Sequence, residues 1–344
     1  MEAERTEVLL VGAGPVGIEV AWALKRARIP CIHVDSGQIG QTITWFAPGT
    51  RFFSSSDRIA ICGVPISPVT QEKTSREEYL AYLRQVVTLL DLPVRTFEKV
   101  CTVRRDSEGF ETTTESRRGH GRVRSRYVVL ATGGTDYPNY LNIPGEDLPH
   151  VSHYLADPHL YFRQRLLVVG GRNSAAEALV RCHRAGARVI LSYRGRELPV
   201  GHIKYWLMPE LNGLIRSGAI EAHFNTVPVS IDRQRVQLAR PDGAPAGQVE
   251  ADFVLLLTGY AQDNTLLRAA GVDLHGANLA PRFDPETLET NVPGLFVAGT
   301  ASAGTQHGYR VFIENCHDHG DRIVAAITGG TAPLASAGYA EPES

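Results

Sequence analysis

The chain has 344 residues, 35 basic against 37 acidic side chains, 43% hydrophobic residues and 21% charged ones. That composition is globular, excludes disordered and collagen-like chains, and suits about two domains with cores of their own. A net charge of −2 argues against nucleic-acid binding, which rests on a basic face. Cys31, Cys62, Cys101, Cys182 and Cys316 stand too far apart for a CxxC pair, a zinc ribbon or a small disulfide scaffold. The longest apolar runs are strand-sized, far short of the roughly 20 residues of a membrane span. Residues 1–7 lack the basic start of a signal peptide, so the expected location is the cytoplasm.

Residues 7–11 form an apolar run that ends in Gly12-Ala-Gly-Pro-Val-Gly17. A helical pattern on Val16, Val20, Ala21 and Leu24 follows, then a second apolar run that ends at Asp35. This is strand, glycine turn, helix, strand. Gly12 permits the tight turn, Gly14 lets the backbone approach a pyrophosphate, and Gly17 allows close helix–strand packing. The amides of the helix N-terminus face the phosphates, and Asp35 can accept from a ribose hydroxyl. Residues 40–66 form a long connection rich in Ser, Phe and Gly, of a length that often carries function. Thr74 and Glu77 stand at capping-box spacing before a helix marked by Tyr79, Leu80, Leu83 and Val86. Residues 94–130 read as a small antiparallel insertion whose last strand runs into Ala131-Thr132-Gly133.

The strand–turn–helix unit recurs with an apolar run over 165–169, then Gly170-Gly171-Arg172-Asn173-Ser174-Ala175, a helix to about residue 185 and a strand over 188–192. Arg172 occupies the place of the second glycine, so its side chain points away from the phosphates or contacts them. Ser192 stands where an acidic residue would select NAD, and Arg194 and Arg196 follow. That pattern favours NADPH through a 2′-phosphate contact; otherwise the two arginines are solvated surface. A buried-looking strand ends in Thr258-Gly259, and another meets the small-residue turn at Ala298-Gly299-Thr300. A helix is predicted over 309–327. The fold class is α/β, with two Rossmann-like three-layer nucleotide-binding domains, the second inserted into the first. The predicted boundaries are 1–136 with 264–344 for the first domain and 137–263 for the second.

These motifs resemble the thioredoxin-reductase-like flavoproteins. Pro138-Asn-Tyr140, Pro144-Gly-Glu-Asp147, Gly170-Gly-x-Asn-Ser-Ala175, Lys204-Tyr-Trp-Leu-x-Pro209 and Phe312-Ile-Glu-Asn315 are similar to the bacillithiol disulfide reductase (YpdA-type) branch of that group. The resemblance extends to about Gly329. It implies FAD in the first domain, NADPH in the inserted one, and a homodimer. Gly12, Gly14, Pro15, Gly17 and Asp35 would hold the ADP half of FAD, and Gln41 and Thr42 would lie near the flavin. Thr132 and Gly133 would close over the dinucleotide, with Gly299, Thr300, Arg310 and Val311 toward the flavin. Gly170, Gly171, Asn173, Ser174 and Ala175, with Ser192, Arg194 and Arg196, would serve NADPH. The chain departs from the family pattern in three ways. The nucleotide domain has no CxxC, Thr300 replaces the Asp that usually meets the ribityl chain, and Val16 replaces a Cys that members of the branch can carry.

The implied chemistry is hydride transfer from nicotinamide C4 to flavin N5. A helix N-terminus at 309–311 would stabilise negative charge on reduced flavin; Arg310 adds to it if turned inward and is solvated surface otherwise. Cys316, His317 and His319 supply too few ligands on one helical face for zinc, and no metal is expected. Cys316 is the best placed of the five as a redox thiol, while Cys31 and Cys182 read as packing thiols. The tail after Gly329 is expected to be mobile, though Tyr339 could fold onto a flavin. Three functions fit. The first is an NADPH-dependent reductase of a low-molecular-weight disulfide, bacillithiol disulfide on the resemblance. The second is a flavoprotein donating electrons to a small redox protein such as ferredoxin, which needs no cysteine. The third is a non-catalytic FAD- and NADPH-binding regulator. The absence of a Phe-x-Gly-x-x-x-His pattern between the nucleotide motifs disfavours a flavin monooxygenase.

Overall fold

The structure is a computed structural model that describes residues 3–308 and 310–330. Tyr309, Tyr339 and nearly all of the C-terminal tail lie outside the described residues. The chain divides into two compact units, one built from its two ends as far as Tyr137 and from Ala261, the other from Pro138–Tyr260 with Phe46–Pro48. Tyr137, Ala261, Gln262 and Asp263, predicted in the inserted domain, fall in the first unit.

The first unit opens with β1 (Glu4–Val11), whose apolar end is fully buried, then α1 (Pro15–Arg26) and β2 (Cys31–Val34). Pro15 is pre-set for the first turn of α1, where its missing N–H has no partner to lose. A short helical turn, α2 (Gln41–Thr44), and α3 (Arg76–Leu89) follow. Helix α3 starts one residue later than the spacing predicts. Thr74 is fully buried with its hydroxyl bonded to Ser56 Oγ at 2.7 Å, so Ser75 takes the cap. The Glu78 amide donates to Ser75 Oγ at 3.3 Å and the Ser75 amide to Glu78 Oε2 at 2.8 Å, a closed capping box. Tyr79 and Tyr82 of α3 donate to the carbonyls of Ile59 (2.8 Å) and Val64 (2.6 Å), tying down the long connection before the helix. Strands β3 (Glu98–Asp106), β4 (Gly109–Ser116) and β5 (Gly119–Leu130) form an antiparallel meander. The second half of β5 then runs parallel beside β1.

The short strand β6 (Tyr137–Pro138) carries the chain across to the second unit. That unit contains β7 (Val151–Ser152), β8 (Arg165–Val169), α4 (Asn173–Arg184), β9 (Arg188–Tyr193), α5 (Met208–Arg216) and β10 (Glu221–Phe224). A side meander of β11 (Val227–Ile231), β12 (Arg235–Ala239) and β13 (Pro245–Glu250) follows, and β14 (Phe253–Leu256) completes the main sheet. Its order is β10-β9-β8-β14-β7, all parallel. The side chains of β8 are buried from Leu166 onward, as a sheet covered on both faces requires.

The chain returns through β15 (Tyr260–Ala261) to α6 (Thr265–Ala269), the ribbon of β16 (Leu274–His275) and β17 (Ala280–Pro281), then β18 (Leu295–Val297) and α7 (His319–Thr328). Strand β18 adds in parallel to β5, giving a sheet ordered β2-β1-β5-β4-β3 with β18 against β5. The helix predicted from residue 309 begins only at His319. Side chains take over its backbone groups: Gln306 Oε1 accepts from the amides of Arg310 (2.9 Å) and Val311 (3.0 Å). Asn315 accepts from the Phe312 amide (2.8 Å) and donates to the Arg310 carbonyl (2.7 Å). These local bonds compete with the helical ladder and leave a single 3₁₀ turn, Ile313–Asn315. Helix α7 packs closely on α1, where a Cβ on Gly320 would stand 3.0 Å from Ala23 Cβ and 3.1 Å from the Glu19 carbonyl oxygen. Among the described residues no helix is long and apolar enough to cross a membrane.

Replacing Ser75 by Ala removes half of the capping box and is expected to lower unfolding free energy by about 1 kcal/mol, read by urea denaturation.

Candidate functional site

The parallel strands of the first unit end level. Val34, Val11, Leu130 and Val297 are mutual register partners at the carboxyl ends of β2, β1, β5 and β18. The glycine turn, Asp35, the segment 131–134 and the 3₁₀ turn Gly299–Ala303 all leave from that edge. A nucleotide in an open α/β sheet binds outside such an edge, where the strand order switches direction, here at β1. Gly12 has φ +106°, and a Cβ there would overlap the Ala131 carbonyl; a Cβ on Gly17 would overlap the carbonyl of Gly12 itself. Gly14 is the opposite case: a Cβ there meets nothing within 4 Å, so open space fronts the N-terminus of α1. This combination fits a pyrophosphate, since the turn is closed behind and open in front.

Asp35 holds that turn as well as facing its edge. Its Oδ2 accepts from the Ala13 amide at 2.6 Å and its Oδ1 from the Gly37 amide at 2.7 Å. A carboxylate has about four lone-pair sites, so capacity remains for a ribose hydroxyl. His33, which sequence reasoning missed, lies buried beneath the turn and donates from Nε2 to the Gly12 carbonyl at 2.9 Å. Burial lowers its pKa and keeps it neutral, with the proton on Nε2. A single His in an apolar strand gives no sequence signal of this task.

Gln41 and Thr42 are half-buried in α2, and the Gln41 amide is engaged with Gln38 N (3.1 Å) and Thr44 Oγ1 (3.3 Å). Thr132, Gly133 and Thr300 are half-buried, and a Cβ on Gly133 would lie 3.9 Å from Thr300 Oγ1. The Gly299 amide is taken by His319 Nδ1 at 3.0 Å. Burial pulls His319 down to about 4, which keeps that nitrogen an acceptor. Residues 310 and 311 are not the helix N-terminus that the sequence suggests. Arg310 is exposed, and the Val311 amide is spent on Gln306. Gln306 is buried and is a second residue sequence reasoning missed; its polar side chain gave no period to read.

The thiol expectation also requires correction. Cys316 is 0% exposed, and burial, reinforced by the Glu19 and Asp318 carboxylates, pushes its thiol well above its ordinary range. A redox thiol needs the thiolate and access, and Cys316 has neither. Burial likewise raises Cys31 and Cys182 to about 12 and lifts Cys62 further. Cys101 is exposed, on the outermost strand β3. Beside Cys316, His317 bridges Glu19 Oε1 (2.8 Å) and the Arg58 carbonyl (2.8 Å). The carbonyl requires a proton on Nε2, so Nδ1 and the Glu19 carboxyl share one further proton. Burial, only partly offset by His317, raises Glu19 to about 7.

The second unit repeats the edge geometry by itself. Val169 pairs with Ser192 and Leu256, and the turn at Gly170 leaves from the end of β8. Gly170 has φ +141°, and a Cβ there would meet the Leu257 carbonyl. Ser174 is exposed on the first turn of α4, Ala175 is buried, and Arg194 and Arg196 are exposed beyond the end of β9. Two predicted contacts are not presented as expected. Ser192 is fully buried with its hydroxyl on Thr226 Oγ1 at 2.9 Å, so it packs the sheet and cannot reach a 2′-phosphate. Asn173 Oδ1 accepts from the Lys204 amide at 2.6 Å and so anchors the following loop. Tyr193 is a further unpredicted feature. Its ring lies between Gly171 and Gly195, at either of which a Cβ would collide with it.

Two glycine turns of this kind, each at the carboxyl edge of a parallel sheet, define a two-dinucleotide oxidoreductase. The chain belongs to the pyridine nucleotide-disulphide oxidoreductase family, whose model matches residues 9–299; it is an oxidoreductase of that family. It is 35% identical over 325 residues to the bacilliredoxin reductase Bdr of Bacillus subtilis, covering 93% of this chain and 97% of that protein. The bacillithiol disulfide reductase Bdr of Bacillus cereus superposes with a TM-score of 0.89 at 35% identity, covering 95% of this chain and 99% of that one. That of Staphylococcus aureus gives 0.87 at 31% identity, with coverages of 95% and 99%. Flavin disulfide reductase chemistry is thus the family's, and the thioredoxin-reductase-like fold is shared.

Glu19 has a raised folded pKa, so its contribution to stability is complete below its ordinary 4.5 and is lost as pH rises through about 7. Glu19→Gln is expected to flatten the fall in unfolding free energy across that window, measured by urea titration at successive pH values.

Proposed function

We propose that the protein is an NADPH-dependent FAD reductase acting on a low-molecular-weight disulfide, bacillithiol disulfide being the candidate. The near full-length similarity to the two bacillithiol disulfide reductases carries this reading. The overall reaction is NADPH + H⁺ + RSSR → NADP⁺ + 2 RSH. Bound FAD supplies a two-electron relay, taking the hydride of NADPH and reducing the S–S bond. In the first unit, Gly14 and the α1 amides would receive the pyrophosphate, Asp35 a ribose hydroxyl, and the segments at Thr132–Gly133 and Gly299–Thr300 the flavin end. In the second, the Gly170 turn and Ser174 would meet the NADPH pyrophosphate, and Arg194 and Arg196 the 2′-phosphate.

The raised thiols, two of them buried and two half-buried, bear on how the acceptor is reduced. Cys31, Cys62, Cys182 and Cys316 are withdrawn from thiolate chemistry, and Val16 occupies the glycine turn. None of these four supplies a thiol relay, and on this reading the disulfide meets the flavin itself, with the exposed Cys101 the one thiol that alkylation would reach.

Two experiments test the reading. Anaerobic titration with NADPH is expected to deliver two electrons per FAD, with turnover on bacillithiol disulfide unaffected by prior alkylation. Uptake of four electrons, or turnover with ferredoxin alone, would overturn it. Replacing Arg194 and Arg196 by Ala is expected to raise the NADPH concentration needed for flavin reduction about tenfold or more while sparing NADH, since charge-assisted bonds are worth about 1.5–3 kcal/mol. Equal loss with both nucleotides would refute the 2′-phosphate role.

A further inference from the structure

The glycine turns of the two units share one hydrogen-bonding register. The Gly12 amide donates to the Val34 carbonyl at 2.8 Å, and the Gly170 amide donates to the Ser192 carbonyl at 3.1 Å. Val11 pairs with Val34 just as Val169 pairs with Ser192. Ser192 is therefore the counterpart of Val34, a strand residue whose side chain is packed into the unit. The counterpart of Asp35 is Tyr193, since each stands 23 residues after the first glycine of its turn. The ribose position of the second unit thus lies one residue beyond the one the sequence suggests.

Tyr193 also touches the same residue of its turn as Asp35 does. Asp35 Oδ2 accepts from the amide of Ala13, the residue after Gly12. The Tyr193 ring lies on Gly171, the residue after Gly170, where a Cβ would overlap its Cδ2–Cε2 edge. The opposite edge of the ring lies against Gly195, which sits between the exposed Arg194 and Arg196. The ring packs on the α4 face of the sheet, beside the core that holds Ala175. Its backbone is pinned as well: the Thr226 amide donates to the Tyr193 carbonyl at 3.1 Å and the Asn225 amide to the Gly195 carbonyl at 2.8 Å. The residue is half-buried, and its hydroxyl, which has no hydrogen-bond partner among the described residues, reaches solvent. The phenol therefore opens between the phosphate turn and the segment that carries the two arginines.

A carboxylate at this position accepts from ribose hydroxyls and repels a 2′-phosphate. A phenol O–H is instead a donor, which a phosphate oxygen can accept. We infer that Tyr193 is a specificity-determining residue of the second nucleotide site: its hydroxyl donates to the 2′-phosphate of NADPH, in the place where the first unit presents the Asp35 carboxylate to a ribose hydroxyl. The inference deepens the reading proposed above and rests on NADPH occupying the second unit. Arg194 and Arg196 supply the charge for a 2′-phosphate. Tyr193 supplies a donor held in place by the two glycines, and it removes the acid that would exclude the phosphate.

The test is calorimetric binding of 2′,5′-ADP and of 5′-AMP to the oxidised, FAD-loaded protein, for the parent, Y193F and Y193D. Y193F keeps the ring between its two glycines and removes only the hydroxyl, while Y193D restores the acid of the first unit. The parent is expected to bind 2′,5′-ADP more tightly than 5′-AMP. Y193F is expected to weaken 2′,5′-ADP about threefold or more and to leave 5′-AMP nearly unchanged, as loss of one hydrogen bond to a charged group requires. Y193D is expected to weaken 2′,5′-ADP further than Y193F does, because it adds repulsion to the lost donor. A Y193F loss of less than about threefold, or equal weakening of both nucleotides, overturns the inference, since the ring would then serve packing alone. Binding of 2′,5′-ADP by Y193D as tight as by Y193F overturns it too. If Y193D does not fold, Y193F decides. A parent that binds both nucleotides equally overturns the NADPH reading itself, whereas failure of Y193F in a parent that prefers 2′,5′-ADP leaves that reading standing.

Discussion

The binding edge of the first sheet depends on two missing side chains. With any Cβ at Gly12 the Ala131 carbonyl could not lie where it does, and with one at Gly17 helix α1 could not close on the turn. The levelled ends of β2, β1, β5 and β18 follow from that close approach, and so does every group the edge presents. Asp35 and His33 then secure the turn from two directions, through the Ala13 amide and the Gly12 carbonyl. The second sheet reaches the same arrangement by a different route. Gly170 passes close to Leu257, while Gly171 and Gly195 make room for the ring of Tyr193.

Much of this was legible in the sequence because it rests on local rules. Glycine spacing after an apolar strand, the periodic face of α1 and the acidic residue at position 35 each constrain backbone or charge within one supersecondary unit. Features that depend on distant partners were not legible. Helix α7 begins at His319 because Gln306 and Asn315 capture the preceding amides, and residue propensities carry no trace of that competition. Ser192 is turned toward Thr226, and Cys316 is sealed in the first unit's core, both outcomes of tertiary packing. The cap of α3 moved by one residue for the same reason, since Ser56 claims the hydroxyl of Thr74. Gln262 is the extreme case, a polar residue whose four bonds all go to segments remote in sequence.

Polar groups buried behind the binding edge show how an enzyme can keep charge chemistry away from its cofactor. His319 accepts from Gly299 as a neutral ring, and His317 and Glu19 hold one shared proton between α1 and the segment before α7. The first ties α7 to the turn after β18 and the second ties α1 to the segment before α7, beside the place where Gly320 lets the helices approach. Such networks are stabilising only when fully connected, and they specify how the two helices meet.

The burial of Cys182 and Cys316 has a consequence for durability. On the proposed reading, the protein works among oxidised small-molecule thiols, the agents that cap and inactivate reactive cysteines. A cysteine that is fully buried and held as the thiol exchanges slowly with any disulfide, so the substrate pool is a poor inhibitor of its own reductase. On that reading the flavin does the reduction without a peptide thiol, which spares the step most easily poisoned by oxidative stress.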